Sequence, residues 1–124
     1  MKKRIVHIDD DPIALETIRT LLEQSGEFEV FSFTRANEAR DRLGDIDPDL
    51  ILLDMIMPIM SGSSTIKLLK AFDYSKDYPV VFLTMKTEAE DVRYYLELGA
   101  HSVISKPINP ETFAVQISGI CQSL

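Results

Sequence analysis

Arg4-Ile5-Val6-His7-Ile8-Asp9-Asp10-Asp11-Pro12 decides the fold, because its character changes abruptly in the middle. Arg4–Ile8 is short, apolar and β-branched, the composition of a strand buried on both faces. Three acids follow. Pro12 then stands where the first turn of a helix tolerates a missing N–H. Beyond it Ala14, Ile18, Leu21 and Leu22 recur at helical spacing and make one apolar face, which Gly26 ends. Strand, acidic loop, helix is the unit, and it repeats along the chain.

Four further runs have strand length: Phe28–Phe33, Leu50–Leu53, Val80–Leu83 and the weaker Ser102–Ser105. Each is followed by a helical pattern. Thr34 is placed to cap a helix carrying Ala36, Ala39 and Leu43, with Gly44 as its stop. A third helix is predicted from about Ser63, with Ile66, Leu69 and Phe72 inward. A fourth begins near Thr87 with Ala89, Val92 and Leu96 inward and ends at Gly99. That phase leaves Tyr95 and Leu98 outside the core stripe as a modest apolar patch, of the kind that can mark a partner surface. The fifth opens with Asn109 as cap and Pro110 in its first turn, then carries Phe113, Ile117, Ile120 and Cys121.

This alternation predicts an α/β domain, a doubly wound five-stranded parallel sheet with five helices over its two faces. The 124 residues suit a single domain, 1–124, with no effector domain. With 45% hydrophobic residues a core can be buried, and one cysteine, Cys121, excludes an internal disulfide. The apolar stretch near the N-terminus is too short for a signal peptide, and no run approaches the ~20 apolar residues of a membrane span. A cytoplasmic location is the expectation. Thirteen Lys and Arg against 20 Asp and Glu leave a net charge of −7, which opposes non-specific nucleic-acid binding.

In sheets of this type the functional crevice lies beyond the carboxyl ends of the strands. That rule selects Asp9, Asp10, Asp11, Asp54, Thr84 and Lys106. Two carboxylates ~4 Å apart at an effective dielectric of ~20 repel by about 4 kcal/mol, so a cluster of them holds protons or binds a cation. Hard oxygen ligands with open positions suit Mg²⁺, which bridges carboxylates to phosphate. A carboxylate can also be the nucleophile that forms an acyl phosphate. Asp54, alone at the end of the middle strand, is the best candidate for that role. Asp9 and Asp10, adjacent in sequence, read as a metal-binding pair. Thr84 offers a hydroxyl donor and Lys106 a point charge to phosphoryl oxygens. Asp11, immediately before Pro12, reads as a helix cap.

The chain resembles, over its whole length, the receiver domains of bacterial two-component response regulators, the chemotaxis-type single-domain receivers in particular. The strand ending in Asp9-Asp10-Asp11-Pro12 is similar to the opening motif of that family. Asp54-Met55-Ile56-Met57-Pro58-Ile59-Met60-Ser61-Gly62 matches its acceptor block. Gly99-Ala100 with Ile104-Ser105-Lys106-Pro107 matches its closing motif, and Thr84 falls in the usual place. The resemblance implies a flavodoxin-like fold with strand order 2-1-3-4-5. It implies Asp54 as phosphoacceptor, Asp10 as direct Mg²⁺ ligand, Asp9 as a ligand acting largely through water, and the Ile56 backbone carbonyl completing the metal site. Thr84 and Lys106 would bind the phosphoryl group. The donor would be a sensor histidine kinase or a histidine phosphotransfer protein. A downstream partner or a second copy would dock on the face formed by the helix from Thr87, the fifth strand and the helix from Asn109. His7 and His101 match no phosphodonor position, and His7 is expected to be packed inside the first strand.

The sequence departs from the family at several positions. Met85 stands where a small residue is usual and would shield the phosphoryl group. Ile56 and Lys86 flank the path of attacking water, and an apolar Ile56 has no group to orient that water, so slow self-dephosphorylation is expected. Val103 replaces the usual aromatic, which weakens or alters the link between Thr84 and the fourth-helix face. Two other functions compete. One is a pseudo-receiver, a binding module of this fold that is never phosphorylated. The other is a haloacid-dehalogenase-type phosphatase, with Asp9 as nucleophile and Asp11 as acid–base. Against the second, Pro107–Leu124 holds only Glu111 where an acidic pair is needed, and Asp54 would have no task.

Overall fold

A computed structural model describes residues 1–54 and 78–124. Its strands are β1 (Lys3–Ile8), β2 (Phe28–Phe33), β3 (Leu50–Asp54), β4 (Val80–Thr84) and β5 (Ser102–Ser105). Its helices are α1 (Pro12–Gln24), α2 (Ala36–Ile46), α3 (Ala89–Glu97) and α4 (Phe113–Gln122). The strands form one sheet in the order β2-β1-β3-β4-β5, and every neighbouring pair is parallel. This is the expected flavodoxin-like order. The helix expected from Ser63, with Ile66, Leu69 and Phe72, lies outside the described residues, so four helices are counted among them.

Side-chain alternation divides the core in two. Ile5, Phe28, Val30, Leu50, Leu52, Val81, Leu83 and Ile104 pack with Ile18 and Leu22 of α1 and Phe113, Ile117 and Cys121 of α4. Val6, Ile8, Ile51, Leu53, Val80 and Phe82 pack on the other face with Ala39, Leu43 and Ile46 of α2 and Tyr95 of α3. All five residues of β3 and all five of β4 are buried, which explains runs that are apolar without alternating. Full burial of a side chain such as Leu52 contributes about 1.5–3 kcal/mol.

Helix ends and faces follow local chemistry, with several corrections. Asp11 caps α1 as expected, its Oδ1 accepting the Ile13 N–H at 3.0 Å. The buried stripe of α1 is Leu15, Ile18 and Leu22, with Leu15 taking the place assigned to Ala14. Thr34 does not cap α2: Arg35 occupies that position without a side-chain bond. Nor does Gly44 stop α2, which runs on to Ile46 and closes on Asp47 in the left-handed region at φ 50°. Ile46 has an apolar place to fill against the sheet, and its burial outweighs the ~1 kcal/mol cost of one helical glycine. Asn109 and Pro110, expected as cap and first turn of the last helix, instead form the turn before it. α4 starts at Phe113 with Thr112 at its N-cap, while Asn109 Oδ1 accepts the Glu111 N–H at 3.0 Å and its carbonyl the Phe113 N–H at 2.9 Å.

The last correction concerns α3, whose phase is rotated from the expected one. Tyr95 is 5% exposed, whereas Leu96 is 47% exposed and Ala89 is open to solvent. Val92, Tyr95 and Leu98 therefore form the inward stripe. The choice is made by the tyrosine, whose ring meets Phe82 edge-on at a centroid distance of 5.6 Å and buries more area than leucine. The outward apolar patch expected from Tyr95 and Leu98 does not exist.

Candidate functional site

Four strand ends converge at the carboxyl edge of the sheet. The ladder between β1 and β2 continues one residue past Ile8, where the Asp9 N–H donates to the Phe33 carbonyl at 3.1 Å. Asp54 is the last residue of β3, paired with Leu83. The β4–β5 ladder is likewise extended by the Lys106 N–H donating to the Thr84 carbonyl at 2.8 Å. Backbone pairing thus carries each of these residues to the rim. Pleat then sorts them: Asp54 continues the parity of Leu50 and Leu52 on the α1/α4 face, and Thr84 that of Val80 and Phe82 on the α2/α3 face.

Asp9, Asp10 and Asp54 each offer a carboxylate oxygen within 4.8 Å of the other two. Asp9 and Asp54 are buried, while Asp10 is exposed. Lys106 Nζ lies 2.8 Å from Asp54 Oδ1 and 4.0 Å from Asp9 Oδ2. One ammonium against three carboxylates leaves excess negative charge. Burial pushes the Asp9 carboxyl up to about 6, and the charges of Asp54 and Asp10 act in the same direction. The Asp11 N–H bonded to Asp9 Oδ1 at 2.9 Å and the charge of Lys106 oppose them. An all-oxygen donor set with surplus charge fits a hard divalent cation such as Mg²⁺.

Beneath this cluster His7 is completely buried, with Nε2 4.0 Å from Asp9 Oδ2. Burial, aided by the nearby Lys106 charge, lowers its pKa to about 4, so the ring is neutral at pH 7. On the other face the Thr84 hydroxyl oxygen accepts the Lys86 N–H at 3.1 Å and lies 3.4 Å from the Tyr95 hydroxyl. Tyr95 is the neighbour that sequence reasoning missed. The usable signal was the aromatic at position 95, one i+3 step from Val92 and aimed at Phe82.

The remaining expected positions fall as follows. Met85 is 69% exposed, and Lys86 and His101 are open to solvent. Val103 is half-buried and packs with the cluster that contains Phe82 and Tyr95. Ile56, expected to supply a carbonyl ligand and to shape the water path, lies outside the described residues, as does the rest of the block through Gly62. Asp11 is committed to capping α1, a task that does not suit a catalytic acid–base.

Similarity to known proteins agrees with this arrangement. Residues 5–118 match the family described as the response regulator receiver domain. The phosphate regulon transcriptional regulatory protein PhoB of Klebsiella pneumoniae is 36% identical over 124 residues, covering 100% of this chain and 54% of its own length. The DNA-binding response regulator MtrA of Mycolicibacterium smegmatis is 32% identical over 117 residues, covering 94% of this chain and 50% of its own. The chain therefore spans about half the length of these curated relatives. Among solved structures, chemotaxis protein CheY4 of Vibrio cholerae superposes with a TM-score of 0.85 at 25% identity, covering 97% of this chain and 99% of that one. A signal receiver domain of a signal transduction histidine kinase from Syntrophus aciditrophicus gives a TM-score of 0.80 at 29% identity, covering 98% and 92%.

Proposed function

The chain belongs to the response regulator receiver domain family, and from that premise we propose that Asp54 is its phosphoacceptor. The observation that carries this reading is the placement of Asp54: it ends the middle strand, shares the three-carboxylate cluster and is paired with Lys106 at 2.8 Å. An oxygen of Asp54 attacks the phosphorus of a phosphohistidine on a sensor histidine kinase or histidine phosphotransfer protein. The P–N bond breaks, and the imidazole leaves with its electron pair and takes a proton. Asp9 and Asp10, with Asp54, would hold Mg²⁺, which supplies neutralising charge to the phosphoryl oxygens. Lys106 releases Asp54 and pairs with a phosphoryl oxygen. The Thr84 hydroxyl donates a hydrogen bond to another.

Phosphorylation is then read as a change of surface rather than as turnover of an external substrate. The readout belongs to the face of α3, β5 and α4, where a downstream partner or a second copy would dock. Among the described residues no helix is long and apolar enough to cross a membrane, and a cytoplasmic switch fits that observation.

Incubation with a small acyl phosphate and Mg²⁺ tests this reading. The intact protein should gain one base-labile phosphoryl group, and Asp54→Asn should gain none. A pseudo-receiver would take up no phosphoryl group under any condition. A phosphatase would turn over phosphate esters and depend on Asp9.

A further inference from the structure

Three buried polar atoms behind the acidic cluster lack hydrogen-bond partners among the described residues: His7 Nδ1, His7 Nε2 and Ser32 Oγ. They are neighbours. His7 of β1 and Ser32 of β2 are register partners in the parallel ladder, so their side chains leave the sheet on the same face. Asp9, two residues beyond His7, follows the same parity, and its Oδ2 is 4.0 Å from His7 Nε2. Ser32, His7 and Asp9 thus form a line from the edge strand β2 to the carboxylate cluster. A strand flanked by Ile5, Val6 and Ile8 has no packing need for an imidazole, and a buried polar group without a partner costs about 1–3 kcal/mol. A side chain kept at that cost has another use.

We propose that His7 is a positioning residue for the metal-binding carboxylate of Asp9, with Ser32 setting its tautomer. The inference rests on the reading of Asp9 as a metal ligand. A neutral imidazole has one N–H and one lone pair. The Ser32 hydroxyl, unbonded among the described residues but on the register partner of His7, would turn to donate to Nδ1, which would leave the ring proton on Nε2, facing Asp9 Oδ2. The 4.0 Å separation closes by a small rotation of either side chain. Asp9 Oδ1 already accepts the Asp11 N–H at 2.9 Å, so a second donor at Oδ2 fixes the plane of the carboxylate. His7 does this without charge. Lys106, at 4.0 Å from the same oxygen, instead competes with an incoming cation. The opposite tautomer would point a lone pair at Oδ2 and repel the ionised carboxylate. Partners of this kind, behind a metal ligand, typically change metal affinity 10–100-fold when removed.

Two measurements on the full chain test this. Imidazole ¹⁵N spectra of the Mg²⁺-saturated protein should show His7 as the Nε2–H tautomer, and Ser32→Ala should lose that preference. An Nδ1–H ring in the wild type overturns the proposal. Mg²⁺ titration followed by amide shifts should give an affinity about tenfold weaker in His7→Leu. Its melting temperature in EDTA should equal or exceed that of the wild type, since an apolar residue replaces an unpartnered polar one. Wild-type affinity in His7→Leu, with binding abolished in Asp9→Asn, would overturn the role of His7 and leave the metal site standing. Failure of the wild type to bind Mg²⁺, or full binding by Asp9→Asn, would remove the metal-site reading and this proposal with it.

Discussion

Lys106 Nζ stands 2.8 Å from Asp54 Oδ1 although β4 lies between the strands that deliver them. The long, flexible lysine stem spans the intervening strand, and the ion pair ties β5 to β3 at the functional edge. Asp54 is almost completely buried, whereas the Lys106 side chain is 30% exposed. Removing the ammonium therefore strands a carboxylate beside two others.

Lys106→Gln should lower the stability of the metal-free protein by about 1–3 kcal/mol, with solvent screening of the lysine favouring the low end. Mg²⁺ affinity should rise several-fold in the same variant, because the competing cation is gone. Urea melts in EDTA and a Mg²⁺ titration check both; unchanged values for each would show that the pair has no electrostatic weight.

The rotated phase of α3 gives a second expectation. Tyr95→Ala should cost about 3 kcal/mol or more, through lost contact with Phe82 and the cavity left behind. Leu96→Ala, on the exposed side, should stay within about 0.5 kcal/mol of wild type. Chemical denaturation of the two variants decides between the faces, and a reversed order would restore the phase expected from the sequence.

Proton and metal binding are linked through Asp9. Its pKa of about 6 in the fold, against 3.8 as the ordinary value, means that the native state holds the proton more tightly. The stability this gives is complete below pH 3.8 and is lost as pH rises through about 6. His7 runs the other way: held at about 4 against 6.5, it contributes stability above pH 6.5 that is lost as pH falls through about 4. The two slopes therefore oppose each other between pH 4 and 6 in the metal-free protein. Mg²⁺ needs Asp9 ionised, so its apparent affinity should fall about tenfold per pH unit below 6. Free Mg²⁺ at ten times its pH 7.5 Kd should stabilise the protein by about 1.4 kcal/mol there and by about 0.4 kcal/mol at pH 5. Equal stabilisation at the two pH values, read by thermal melts, would contradict the coupling.

Gly44 sits inside α2, and a Cβ built on it meets nothing within 4 Å. Gly44→Ala should stabilise the domain by about 1 kcal/mol, raising Tm by several degrees. A lower Tm would mean that the glycine has a role in the helix that its open surroundings do not show.

Much of this fold could be read from residue patterns, since all five strands begin and end within one residue of the runs that predicted them. Strands buried on both faces are uninterrupted apolar runs, and such runs are hard to mistake. Asp9, Asp10, Asp54 and Lys106 were legible for a related reason: the rim of a parallel sheet is where its strands stop, and polarity marks the stop. Helix phase was less legible. Over α3 and its C-cap Leu98, the stripe through Ala89, Val92 and Leu96 and the stripe through Val92, Tyr95 and Leu98 are equally regular. Only the position of Phe82, a tertiary fact, separates them. Gly44 misled because local propensity marks it as a stop, while the buried place for Ile46 lies beyond it. The convergence of His7 and Ser32 depends on strand register, which neither segment carries alone.

The most direct test of the central claim is chemical mapping of the phosphorylated side chain. Borohydride reduces an acyl phosphate on aspartate to homoserine, and peptide mass spectrometry then locates the reduced residue. After treatment with a small acyl phosphate and Mg²⁺, homoserine should be found at position 54 and nowhere else. Homoserine at position 9, or none in a protein shown to bind Mg²⁺, would contradict Asp54 as the phosphoacceptor.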